Sequence, residues 1–513
     1  MKRPREFGCI LVPDFPLQAW LRVEPESASR PVGILAESAG RLEVSWVSRA
    51  AQEAGVRPGM TLAQARSICS GLMARPVAAP WIRSAHEALL DLALGFSPSV
   101  QSFEPGLVVL DLAGTSGLYP SRPAMACALV AQARRMGFSA CVGIAGGPRL
   151  ALIAARAVAL REMQGATRDT PDRGAEGEVL LLRPGEEAAQ LAPLPIEALG
   201  ASPVLCEALH RLGLRTVGEF ARLNRVGLGV RLGVEAYDLH RLACGEDDAC
   251  IEPLRPSEVF EESVALDYAL EQTEPLLFLV AAAVERLAQR LEARAMAPAT
   301  LAITLELDPD GHHSVAVSLP SATSDVRSLM GLLRLQLEAC RLQKPIRGFT
   351  LAAQGAAPPR VQGDLFGPAQ AAPSELASLW ARLAAIAGPD RVGCPVVPDT
   401  HGRATPGVRA IPPPSTFREV RMVPRATLAF CRIHPPREVV VQTGAEGEPL
   451  FIQGQPFSGR VERSAGPWWI GTGWWTGRAE AGAFYDVEVR GRGLLRLFKE
   501  VATGRWFVDG WYG

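Results

Sequence analysis

Residues Phe7–Trp20 read FGCILVPDFPLQAW: six apolar or small residues, then a proline, then an aspartate. An unbroken apolar run of this length, closed by Pro13, is a buried β-strand over Phe7–Val12. It places Asp14 just past the strand's carboxyl end. A second buried strand reads over Gly106–Leu112, GLVVLDL, with Glu104 shortly before it. Helical patterns lie between the two strands over Ala51–Cys69 and Ser84–Leu94. Further helices over Ala124–Met136 and Arg149–Arg161 flank the strand-like Cys141–Ala145. Strands and helices mixed in this order predict an α+β layer rather than a regular βαβ repeat.

The remaining chain extends well beyond this layer. Its 513 residues exceed what one core supports, about 250–300 residues. From Leu194 the pattern turns helical, with a Gly-containing turn inside Leu209–Leu223, LHRLGLRTVGEFARL. Leu276, Leu277, Val280, Val284, Leu287 and Leu291 share one helical face, and Thr300–Leu307, TLAITLEL, alternates like a half-buried strand. Residues 355–374 are rich in Ala, Pro, Gly and Gln, the composition of an exposed tether. Six of the ten tryptophans follow residue 467, among alternating segments divided by glycines that predict a β-meander.

The chain is 48% hydrophobic and 21% charged, which excludes a disordered chain. Its net charge of −1 excludes a whole-chain field that grips nucleic acid by counterion release. Residues 1–250 are balanced, residues 251–370 carry 10 Lys+Arg against 15 Asp+Glu, and residues 371–513 carry 17 against 13. Only Lys2, Lys344 and Lys499 are lysines, a bias that fits GC-rich coding. The ten cysteines have no metal-ligand spacing and read as small buried residues of a reducing compartment. The N-terminal apolar run is too short for a signal segment, so the expected location is the cytoplasm, without membrane insertion.

Two local stretches add to this order of elements: Glu53–Ala65, EAGVRPGMTLAQA, and Val142–Val158, VGIAGGPRLALIAARAV. Together they resemble the Y-family (translesion) DNA polymerases over roughly residues 5–355. The resemblance implies a right hand of palm, fingers and thumb with a little finger, followed here by a β-rich C-terminal domain. It implies a palm over 1–12 and 80–165, fingers over 13–79, a thumb with a helix-hairpin-helix over 166–250, and a little finger over 251–354. The clamp-motif linker then spans 355–374, and the C-terminal partner-binding region 375–513.

Nucleotidyl transfer by that family uses clustered carboxylates that hold two divalent cations about 3.5–4 Å apart. The family supplies one Asp from the first strand and an Asp-Glu pair before the second. If Asp14 takes the family's second, less critical acidic place, the metal-binding place falls at Val12. If the register slips, Asp14 is itself a ligand. Anchoring the second strand on Leu110-Asp111 puts Gly106-Leu107 where the Asp-Glu pair belongs, with Glu104 the nearest carboxylate and Asp111 a strand-end residue. The Tyr and Arg that clamp the triphosphate in the family fall at Arg49 and Gln52. These departures imply a polymerase-shaped protein without catalysis, with no metal and no cofactor, and they narrow the resemblance to the ImuB-type branch of bacterial mutagenesis cassettes. The competing expectations are an active translesion polymerase using Asp14, Glu104 and Asp111, and a plain DNA-binding repair protein. The resemblance implies as partners the sliding clamp, an ImuA-type accessory protein and an error-prone DnaE-type polymerase, in damage-induced mutagenesis.

Three further motifs carry their own mechanism. Gln362, Leu365 and Phe366 fit QxxLF, the sliding-clamp peptide: an amide head and two apolar anchors inside an exposed tether. The turn LGLRTVGEF offers Gly213, Arg215, Thr216 and Gly218 for a phosphate of damaged or primer-template DNA, or else forms a purely structural helical turn. Trp468, Trp469, Trp474 and Trp475 occur as adjacent pairs, and neighbours on a strand face opposite ways, so some are expected to be exposed for partner binding. About half of the tail's tryptophan rings are expected in a β-domain core. His312 and His313, in DPDGHH, read as solvated turn residues.

Overall fold

The computed structural model describes residues 5–38, 40–163, 178–319, 322–340, 344–358, parts of 379–396, 407–409, 429–472 and 480–513. β1 (Phe7–Leu11) ends at Val12-Pro13, and Asp14 takes a left-handed conformation (φ 47°) before α1 (Phe15–Val23) begins. β2 (Val32–Ser38) and β3 (Arg41–Val47) pair antiparallel, α2 (Arg49–Glu53) and α3 (Leu62–Ile68) follow, and β4 (Met73–Pro76) runs parallel beside β2. One helix was expected over 51–69; the chain forms two. Gly55 (φ 96°) and Gly59 (φ 87°) turn the backbone between them, and Ser48 and Thr61 cap the two starts.

α4 (Ala79–Leu94), β5 (Val100–Glu104), β6 (Leu107–Asp111), α5 (Arg122–Arg135), β7 (Cys141–Ala145), α6 (Pro148–Met163) and β8 (Val179–Leu181) complete a five-stranded sheet in the order β5-β6-β1-β7-β8. β1 lies at its centre, buried on both faces as its apolar run requires. Ile10, Val108 and Leu110 pack with Leu89 and Leu92 of α4 and Met125 and Leu129 of α5. Phe7, Cys9 and Val109 meet the alanine face of α6 on the other side. That helix lies so close that a Cβ on Gly143 would sit on the Ala151 carbonyl. Cys9 and Cys141 are buried as expected, whereas Cys250 and Cys431 are exposed; all ten cysteines are free thiols.

A helical stretch follows: α7 (Glu187–Leu191), α8 (Pro203–Arg211), α9 (Val217–Ala221), α10 (Arg225–Leu232) and α11 (Val234–Ala243). Next comes an α/β unit of β9 (Val259–Leu270), α12 (Thr273–Ala293), β10 (Ala297–Leu307), β11 (His312–Ser318), α13 (Val326–Ala339) and β12 (Ile346–Ala356). Its antiparallel sheet has the order β11-β10-β12-β9. α12 and α13 cover one face, burying Leu276, Val280, Val284, Leu287 and Leu291 against Leu301, Ile303, Leu305 and Phe349. On the strands, Ser263 pairs with Thr350 and Thr304 with Ser314, hydroxyl to hydroxyl.

The chain divides into two units, Met1–Ala385 and Ile386–Gly513. In the second, β13 (Cys394–Val396) pairs with β14 (Gly407–Arg409). β15 (Phe430–Thr443), β16 (Pro449–Gln453), β17 (Gly459–Thr472), β18 (Glu480–Val489), β19 (Gly493–Glu500) and β20 (Trp506–Tyr512) form a closed barrel. The expected meander closes because β15 bends at a register shift and pairs with β20 up to Val439↔Trp506. Val439, Ile452, Val487, Leu497, Trp506 and Val508 fill it.

Within the first unit, the α/β module is joined to α1 and α4 by a buried charge cluster. Glu262 of β9 is 1% exposed. It accepts from Ser84 Oγ (2.6 Å), Arg290 Nη1 (3.1 Å) and Arg286 Nε (3.3 Å), with Arg22 Nη2 at 3.6 Å. Arg290 also donates to Asp91 (2.8 Å) and Glu87 (3.0 Å) of α4. Burial alone would raise the Glu262 carboxyl, but Arg22, Arg290 and Arg286 outweigh it and bring it down to about 2. Glu87 and Asp91 shift upward, because burial exceeds the pull of their arginines.

A folded pKa held below the unfolded value, about 4.3 for a glutamate, contributes stability that is complete above that pH and lost as pH falls towards 2. Glu262→Gln is therefore expected to flatten the acid limb of denaturant-derived stability relative to wild type; identical limbs would refute this role. Arg290→Ala removes a buried donor from Glu262, Asp91 and Glu87 and is expected to cost about 3–5 kcal/mol in the same titration.

Candidate functional site

The carboxyl end of β1 and the start of β6 meet as the sequence resemblance requires of a metal site. Leu11 lies opposite Leu107, and the Val12 N–H donates to the Gly106 carbonyl at 2.9 Å. Val12 and Leu107 are 2% exposed, inside the apolar core. Gly106 has φ 89°, and a Cβ there would lie 2.6 Å from Cγ of Phe15, itself buried. The space a side chain at position 106 would need is thus filled by the Phe15 ring. His86 completes the packing: its ring stands edge-on to Phe15 at 6.2 Å, and its Nδ1 accepts the Gly106 N–H at 3.2 Å. Nε2 therefore carries the proton and faces Ser102 Oγ at 2.7 Å. Burial lowers the His86 pKa, which keeps this neutral tautomer. Sequence reading missed His86, which stands among Arg83, Ser84 and Glu87 and has no local signal that sets it apart.

The nearby carboxylates do not converge on this point. Asp14 lines a cavity of about 540 Å³ with Gln18 and Arg22 of α1, Ser139 and Arg286, and no residue of β5 or β6 lines it. Its carboxyl is raised by burial. Glu104 is exposed on β5. Asp111 accepts from the Ala113 N–H at 2.8 Å, closing a turn after β6. Val12, Gly106 and Leu107 offer no side-chain oxygen, so these residues do not fit a pair of divalent cations. Among the described residues, no three His, Cys, Asp or Glu side chains gather into a group able to hold a metal ion. Arg49 pairs with Glu53 at 2.7 Å on the surface, and Gln52 donates to the Val47 carbonyl.

At the helical turn, Thr216 caps α9 and Glu219 folds back in a capping box. The Glu219 carboxylate accepts the N–H groups of Arg215 (2.7 Å) and Thr216 (3.1 Å), which hold its pKa low. Those two donors already face an anion of the chain itself. Gly218 gives its N–H to Ala192, and a Cβ there would lie 2.8 Å from the Ala192 side chain, so its close approach serves internal packing. Gly213 (φ 81°) and the Arg215 side chain remain on the surface.

In the barrel, Trp468 is 44% and Trp469 72% exposed, although neighbours on a strand point to opposite faces. Both are exposed because residues 462–471 of β17 are exposed throughout. Trp506 instead fills the core beside Tyr485. His312 and His313 begin β11 rather than lying in a turn, and His313 Nε2 lies 3.2 Å from Cys340 Sγ. Gln362, Leu365, Phe366, Trp474 and Trp475 lie outside the described residues.

The impB/mucB/samB family matches residues 10–156, and that family's C-terminal domain matches residues 261–365. Protein ImuB of Caulobacter vibrioides (strain NA1000 / CB15N) is 27% identical over 485 residues, covering 90% of this chain and 100% of the relative. DNA polymerase IV of Methanoculleus marisnigri is 26% identical over 60% of this chain and 82% of the relative. DinB from Sulfolobus solfataricus is a solved structure with 16% identity and a TM-score of 0.37, covering 69% of this chain and 100% of that one. The fold is α+β, with a β-rich C-terminal part. No helix among the described residues is long and apolar enough to cross a membrane. Two stretches of the chain match, in order, the models of the impB/mucB/samB family and of its C-terminal domain, and along 90% of its length the chain is similar to Protein ImuB.

Proposed function

We propose that this protein is a non-catalytic, polymerase-like adaptor that joins the sliding clamp, an ImuA-type accessory protein and an error-prone DnaE-type polymerase during damage-induced translesion synthesis. The observation that carries the non-catalytic part is the Phe15 ring packed where a side chain at Gly106 would stand, between Val12 and Leu107. A two-metal mechanism needs oxygen ligands at that junction, and the junction is apolar. The similarity to Protein ImuB along 90% of the chain supports a place in a mutagenesis complex.

The adaptor works through three contacts. Gln362, Leu365 and Phe366 bind the clamp, with the two apolar side chains as anchors in one pocket. Trp468 and Trp469, together with Trp474 and Trp475, bind the accessory protein and the polymerase; the exposure of the first pair supports this. DNA contact is weak and runs through Gly213 and the Arg215 side chain, since Glu219 holds the neighbouring amides. The α/β unit adds little grip, because residues 251–370 carry five more acids than bases. The protein acts in the cytoplasm.

Primer extension with the purified protein and Mg²⁺ or Mn²⁺ is expected to give no incorporation. Incorporation that disappears in an Asp14→Ala/Glu104→Ala variant would establish an active polymerase instead. The triple change Gln362→Ala/Leu365→Ala/Phe366→Ala is expected to weaken clamp binding at least about tenfold, the loss of one modest anchor. Damage-induced mutagenesis should fall with it; unchanged affinity and unchanged mutagenesis would remove the adaptor reading.

A further inference from the structure

We propose that the outer half of β17, Trp468–Thr472, takes up one short, extended, uncharged strand of a partner protein; this rests on the partner-binding reading of the barrel. β17 is 14 residues long, yet β16 pairs with it only at Gly459 and Arg460. β18 pairs along its other edge from Val461 to Thr472. Among the described residues no strand pairs with the β16-side edge beyond Arg460. Alternate backbone N–H and C=O groups there need a partner, and a β-strand supplies them in register.

The edge is guarded in one half and open in the other. Glu462 and Arg463 carry charge, and a bulge between Ala465 and Trp468 holds Pro467, which has no N–H to give. Beyond the bulge, Trp468–Thr472 contains neither proline nor charge. Its side chains cover both faces of the strand: Trp468 is 44%, Trp469 72% and Ile470 45% exposed. An added strand would lay alternate side chains beside Trp468 and Ile470 on one face and beside Trp469 on the other. Ser464–Thr472 is uncharged throughout, so no counter-charge is offered and an uncharged apolar segment fits best. The bulge limits the pairing to about one short strand's length, since strands rise ~3.3 Å per residue and the open stretch ends there.

The test uses the full-length protein with the purified accessory protein and error-prone polymerase. Trp469→Pro and Ile470→Pro are compared, because adjacent amides point to opposite edges and only one serves the open edge. One proline variant should keep wild-type thermal melting while binding a partner at least about tenfold more weakly, an effect of the size of one or two lost backbone hydrogen bonds plus displaced contacts. In the wild type, hydrogen exchange at amides within Trp468–Thr472 should slow when the partner is added. If exchange there does not slow, or both proline variants bind as wild type, the strand-addition proposal is overturned. The partner-binding reading survives that result if Trp468→Ala/Trp469→Ala weakens binding, and it fails if protein truncated at residue 374 binds both partners as the full chain does. Slowed exchange at these amides without partner, growing with protein concentration, would assign the edge to a second copy and overturn the proposal.

Discussion

A carboxylate cannot keep its charge inside a protein unless cations and hydrogen-bond donors surround it. Glu262 meets that requirement only when four elements arrive together. Ser84 comes from α4, Arg22 from α1, and Arg286 and Arg290 from α12, while Glu262 itself sits on β9. Arg290 extends the same demand to Asp91 and Glu87. Apolar packing of equal volume would give comparable or greater stability, so the cluster is better understood as a fixer of geometry. Any other seating of the α/β unit on α1 and α4 would leave charged groups buried without partners.

The five-stranded sheet answers to a different constraint. β1 is apolar on both faces, and the alanines of α6 approach the neighbouring β7 closely enough that Gly143 has no room for a side chain. At the end of the same strand, Phe15 and His86 close over Gly106. A cluster of carboxylates at such a point repels itself and holds strain that a catalytic site must tolerate. Apolar packing removes that cost. On the proposed reading, the sheet has become a scaffold whose former reactive end is another part of its core.

How much of this was legible depended on whether the signal was local. Cys141–Ala145 and the Leu276–Leu291 helix face announce themselves by run and period, and the structure places them there. The break between α2 and α3 was readable in Gly55, Pro58 and Gly59, but their polar surroundings looked continuously helical. β2, β3 and β4 escaped notice because each is short and only partly apolar, and each becomes a strand through its neighbours. The Glu262 cluster had no local signal at all. Glu262 and Asp91 lie far apart in sequence, and each resembles an ordinary surface acid until α12 brings Arg290 between them. Gly106 was legible as a missing acid, but the occupation of its space by Phe15 needed coordinates.

The barrel shows how closure and recognition divide one strand. Pairing β15 with β20 covers one edge of each, and exposed edges are the usual hazard of an all-β unit. β16 is too short to cover β17, so closure is complete at Gly459 and Arg460 and lapses beyond them. Ile452, Val487, Leu497 and Trp506 are buried in the core, whereas residues 462–471 of β17 are exposed. Trp506 packs beside Tyr485 inside the barrel. Trp468 and Trp469 lie on the exposed stretch, where a ring costs hydrophobic free energy unless something covers it. On the proposed reading, their position beside an incompletely paired edge gives Trp468 and Trp469 a role in binding, while Trp506 serves the fold.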